Sequence, residues 1–70
     1  MKHNGFDIST EELDNDMIAV NFDKNGRAGG YISIKMTDDG VVVDIFDIEG
    51  TVLGSTWCEW NELEPQGVGA

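Results

Sequence analysis

Apolar and polar side chains alternate with period two along much of this chain, and the alternation predicts strands. In Met17–Phe22, Ile18, Val20 and Phe22 alternate with Met17, Ala19 and Asn21. In Tyr31–Met36, Ile32, Ile34 and Met36 alternate with Tyr31, Ser33 and Lys35. Period two with β-branched residues marks a half-buried strand. Val41–Ile48 is apolar at both parities, as expected of a central strand covered on each side, and a fourth strand, TVLGSTW, follows Gly50.

The ends of the chain carry helix signals. In ISTEEL, Ser9 and Glu12 have capping-box spacing, and Ile8 and Leu13 are spaced as a hydrophobic staple. A short helix is predicted here, ending near Asn15, with Met1–Asp7 as a loose lead-in. Thr56 and Glu59 repeat the capping-box spacing, so residues 58–64 read either as a short helix or as a strand running on to Trp60. The expected fold class is α+β: a small four-stranded antiparallel meander with one short N-terminal helix and room for a second at the C-terminus. Residues 1–64 read as one small domain and residues 65–70 as a disordered tail.

Two turns set the register. In TDDGV, a two-residue turn on Asp39–Gly40 pairs Met36 with Val43 and Ile34 with Ile45, keeping apolar opposite apolar. In DIEGT, a three-residue loop pairs Ile45 with Leu53 and Val41 with Trp57; the tighter alternative sets Ile45 against Gly54. The expected core face is therefore Val41, Val43, Ile45, Leu53 and Trp57 with Ile32, Ile34 and Met36. Trp57 is expected in the core and Trp60 outside it. The other face carries Val42, Phe46 and Val52 around Asp44, to be covered by the terminal segments or by another chain.

Charge changes the picture more than composition does. Fourteen acids face four basic residues, a net charge of −10 on 70 residues. Small domains carry about 2–8 units for solubility, and this chain exceeds that. Such a surface repels nucleic acid and anionic membranes and attracts basic proteins. The acids cluster at Asp7–Asp16, at Asp38 and Asp39, at Asp44–Glu49 and at Glu59–Glu64. The single cysteine, Cys58, cannot pair within the chain and fits a reducing compartment. Met1–Asp7 has no signal-peptide pattern, and no apolar run is long enough to span a bilayer. The expected location is cytoplasmic, with no membrane partner.

Candidate chemistry is thin. FDKNGRAGGYIS is similar to an EF-hand calcium loop, but Arg27 falls on a ligand position and Met36 stands where the bidentate glutamate belongs. KNGRAGG lacks the phosphate-loop pattern and opens no helix. His3 has no second histidine to share a metal, and Cys58 has no histidine at a set spacing to activate it. No cofactor, metal site or catalytic constellation is expected, and the chain reads as a non-enzyme.

VVVDIFDIEGTVLGSTWCEWNEL (residues 41–63) resembles a run found in short acidic proteins encoded by bacteriophages and prophages. The resemblance covers about a third of the chain, and Gly54 departs from the alanine-like residue usual there. It implies a phage or mobile-element origin and a role in binding and inhibiting a host protein; it carries over no catalytic residue. The expected function is that of a small acidic binding protein, a DNA mimic that occupies a basic, nucleic-acid-binding site on a host protein. The residues expected to bind are Glu11, Glu12, Asp14, Asp16, Asp38, Asp39 and Trp60. The alternative is a homo-oligomer, a homodimer in its simplest form, burying the Val42, Phe46 and Val52 face.

Overall fold

The computed structural model describes residues 1–64; the expected tail at 65–70 lies outside the described residues. Six strands form one antiparallel sheet in chain order. They are β1 (Lys2–His3), β2 (Phe6–Asp14), β3 (Met17–Lys24), β4 (Tyr31–Met36), β5 (Gly40–Phe46) and β6 (Val52–Glu59). One turn of helix, α1 (Trp60–Leu63), ends the described chain. The four-stranded α+β expectation is thus corrected to a six-stranded meander with four helical residues.

The N-terminal helix is replaced by β2. Its residues pair along β3, with Ile8 opposite Phe22 and Thr10 opposite Val20. A capping box satisfies two amides, whereas a nine-residue strand beside β3 satisfies a whole ladder edge. The lead-in is also ordered: β1 folds back on β2 through Asn4 (φ 51°) and Gly5 (φ 83°), with His3 opposite Phe6. Asn25 (φ 54°) and Gly26 (φ 75°) make the same kind of turn after β3, with Lys24 and Arg27 exchanging backbone hydrogen bonds at 2.9 and 3.0 Å. Positive φ at both central positions is what Asn-Gly supplies at low cost.

The β4–β5 hairpin keeps the expected faces but not the expected turn. Met36 pairs with Val41 and Ile34 with Val43, because the loop is Asp38–Asp39 rather than Asp39–Gly40. The shift is two residues in the partner strand, so each side chain stays on its face. Thr37 decides the turn: its hydroxyl accepts the amides of Gly40 (3.1 Å) and Asp39 (3.3 Å).

In the β5–β6 hairpin the expected three-residue loop forms, closed by a 3.0 Å bond from the Asp47 amide to the Thr51 carbonyl. Phe46 then pairs with Val52, but Ile45 pairs with Gly54, so Leu53 is an extra, bulged residue. The bulge moves the rest of β6 to the opposite face. Trp57 lies opposite Val42, and Cys58 takes its place opposite Val41. The expected core positions of Leu53 and Trp57 are corrected accordingly; Leu53 is 65% exposed and Trp57 49%.

Residues directly opposite in antiparallel strands share a face. One face therefore carries Ile8, Ile18, Val20, Phe22, Ile32, Ile34, Met36, Val41, Val43 and Ile45, with Glu12 and Lys24 as its charged strand residues. The other carries Asp7, Glu11, Asp23, Asp44 and Glu59 around Ala19, Ser33 and Val42. Tyr31 and Phe46 stack across this second face with centroids 4.7 Å apart. Among the described residues only Ala19 (3% exposed) and Val41 (8%) are buried apolar side chains, and no large side chain is fully buried. The sheet is a single layer.

Candidate functional site

A meander returns to the same end at every second turn. The β2–β3 turn, the β4–β5 turn and α1 therefore sit together at one end of the sheet. That end holds Asp14, Asp16, Asp38, Asp39, Glu59, Glu62 and Glu64, with Lys35 as the nearby cation. The other end holds the β1–β2, β3–β4 and β5–β6 loops, where Lys2, Lys24 and Arg27 mix with Asp23, Asp47 and Glu49. Neighbouring strands are about 4.8 Å apart, so the two acidic turns stand about 10 Å from each other.

The acidic end is tied together through backbone groups. The Met36 amide donates to the Asp16 carbonyl at 2.7 Å, linking the two turns. The Trp60 amide donates to the Asp39 carbonyl at 3.3 Å, and the Trp60 indole Nε1 donates to the Thr37 carbonyl at 2.7 Å. That carbonyl is open to Trp60 because the Gly40 amide turns to the Thr37 hydroxyl instead. Glu62 starts α1 by accepting the Glu59 amide at 2.8 Å.

Of the expected binding residues, Asp14, Asp16, Asp38 and Asp39 are brought to one end. Glu11 and Glu12 are separated: Glu11 shares the acidic face with Ala19, while Glu12 points with Ile18 to the apolar face. Trp60 is half-buried with its N–H committed to Thr37, so the expected order of exposure between the two tryptophans is reversed. Trp57 is the open aromatic. Its ring lies over Gly40, where a Cβ would stand 2.9 Å from the ring edge. Glu59, Glu62 and Glu64 join the acidic end although they were not among the expected binding residues. The signal for them was strand parity, since an even number of strands separates them from the Asp14–Asp16 turn.

Other candidate chemistry is spent locally. The Asp23 carboxylate accepts the Gly29 amide at 3.4 Å, closing the loop that resembled a calcium site. Lys24 lies over the Phe6 ring at 5.0 Å. Among the described residues, no three histidine, cysteine, aspartate or glutamate side chains converge to hold a metal ion. The half-buried Cys58 thiol is pushed above its ordinary pKa by desolvation, then by the charge and hydrogen bond of Glu62, and by Glu59. At neutral pH it is a poor nucleophile. No helix is long and apolar enough to cross a membrane among the described residues.

No protein-family model, curated protein or solved structure matches this chain.

Proposed function

We propose that the protein is a non-enzymatic binder whose acidic end engages a basic surface on another protein, one that otherwise holds nucleic acid. The observation that carries this reading is the convergence of Asp14, Asp16, Asp38, Asp39, Glu59, Glu62 and Glu64 on one end of the sheet. Backbone hydrogen bonds hold together the two turns that bear Asp14, Asp16, Asp38 and Asp39 and the start of α1, so the charges are spaced by an ordered backbone. Fixed charge costs less to order on binding than a mobile acidic tail. The resemblance of residues 41–63 to phage proteins agrees with an inhibitor of a host enzyme, working in the cytoplasm of the infected cell.

The test is capture from a bacterial lysate at low and at high salt, with duplex DNA as competitor. A variant with Asp14, Asp16, Asp38 and Asp39 changed to asparagine serves as the comparison. The parent should retain basic, nucleic-acid-binding proteins that salt and DNA displace, and the variant should not. Capture indifferent to salt, to DNA and to the four substitutions sinks the proposal.

A further inference from the structure

A sheet with one apolar face needs a second layer to bury it, and no described element supplies one here. The short α1 sits at the acidic end, beside β5 and β6. The face formed by Ile18, Val20, Ile32, Ile34, Val43 and Ile45 stays only partly covered, with Ile45 44% exposed. Five strands give this face a footprint of about 24 Å by 20 Å. That projection is about 480 Å² before side-chain relief, which places the face at the small end of interfaces, where each partner of a standard one gives roughly 800 Å².

We infer that a second copy of this chain packs its apolar face against the first, forming a two-layer sandwich with the acidic end of each sheet over the Lys24 and Arg27 end of the other. A face that is apolar at its centre is complementary to itself, which is what a twofold dimer requires. Two twofold axes in the interface plane are available. An axis along the strands stacks acidic end on acidic end. An axis across the strands reverses one sheet and places each acidic end over the other's mixed-charge end, where Lys2, Lys24 and Arg27 offset Asp23, Asp47 and Glu49. Charge selects the second. Glu12 and Lys24 lie near opposite ends of the face. Reversal therefore brings Lys24 towards the partner copy's Glu12–Asp16 segment.

The opposite face is a poor alternative for self-association. It carries Asp7, Glu11, Asp23, Asp44 and Glu59 against Lys2 and Lys35, so self-association there would set one net-negative face against another. The inference therefore leaves Val42, Phe46 and Val52 outside the dimer. It does not depend on the identity of any protein that the acidic end binds.

Sedimentation equilibrium of the full chain at 0.15 M salt should show a dimer across the micromolar range, with folded structure lost as dilution dissociates it. Lys24→Glu and Lys35→Glu change net charge equally, but Lys24, opposite Phe6, is on the apolar face and Lys35, opposite Met17, on the other. Lys24→Glu should weaken the dimer about fivefold and Lys35→Glu less than twofold. In a mixture of isotope-labelled and unlabelled chains, cross-copy NOEs should join the methyl groups of Ile34 and Val43. A stably folded monomer overturns the inference. So do equal effects of the two lysine substitutions, or cross-copy contacts confined to the β6 edge or to Trp57 and Phe46.

Discussion

The indole N–H of Trp60 donates to the carbonyl oxygen of Thr37 at 2.7 Å across 23 residues of chain. This bond joins α1 to the β4–β5 turn and so holds the last group of carboxylates beside Asp38 and Asp39. Trp60→Phe should cost about 1 kcal/mol for the lost hydrogen bond. Trp60→Ala should cost about 2–3 kcal/mol, below the range for a fully buried tryptophan because Trp60 is only half-buried. Trp57→Ala should cost about 1 kcal/mol, since half of its surface is already in water. Urea midpoints of the three variants give the order, and a larger loss at Trp57 would contradict it.

Gly40 and Gly54 separate two uses of glycine in a strand. A Cβ at Gly40 would run into the Cys58 carbonyl oxygen and crowd the Trp57 ring. A Cβ at Gly54 would meet only Ile45 Cδ1, at 3.7 Å. Gly40→Ala should therefore destabilise by at least about 2 kcal/mol. Gly54→Ala should be neutral or stabilising by about 0.5 kcal/mol, because alanine restricts the unfolded chain. Thermal unfolding of the pair checks the contrast.

The two Asn-Gly turns have the same geometry but different loads. Gly26 (φ 75°) reverses the chain between two central strands, whereas Gly5 (φ 83°) holds only the two-residue β1. Alanine at either site is strained by about 1 kcal/mol locally. Gly26→Ala should lower global stability by that amount. Gly5→Ala should instead fray β1, visible as faster amide exchange at Ile8, whose N–H donates to Met1.

The Cys58 thiol titrates above its ordinary range when folded, chiefly through desolvation and then through Glu62. The folded state therefore holds this proton more tightly than the unfolded one. The stabilising contribution is present below the ordinary thiol range and is lost as pH rises through the folded pKa. Alkylation by iodoacetamide at pH 7.5 should be slower than for a free cysteine peptide. Glu62→Gln should speed it and move its pH profile down; an unchanged profile would remove Glu62 as a cause.

Much of the sheet was legible because its strands obey period two. The alternation over Tyr31–Met36 gives the observed bounds of β4, and matching Ile34 and Met36 to apolar partners gives its parity against β5. β2 was hidden by a local signal: Ser9 and Glu12 have capping-box spacing, yet the β3 edge offered more backbone hydrogen bonds than a cap could. β1 was hidden because Met1–Asp7 carries no period-two alternation to flank the Asn4-Gly5 turn. The bulge at Leu53 defeated pairwise matching. Opposing Ile45 to Gly54 looks wasteful in two dimensions, but it carries Trp57 onto the face where Gly40 leaves room for the ring. The acidic end was half legible: its turn residues and the four strands from Asp16 to Glu59 were visible, but the helix-or-strand ambiguity of residues 58–64 left the place of Glu59, Glu62 and Glu64 open.

The strand order β1 to β6 also sets how this chain acquires its structure. Every strand pairs with its neighbour in sequence, so the backbone ladder contains no distant closure of the kind that slows barrels and Greek keys. Low contact order favours rapid folding, and each hairpin can zip onto the one before it as the chain leaves the ribosome. In the inferred dimer, the slow, concentration-dependent event is the docking of two zipped but unburied sheets, which completes their folding.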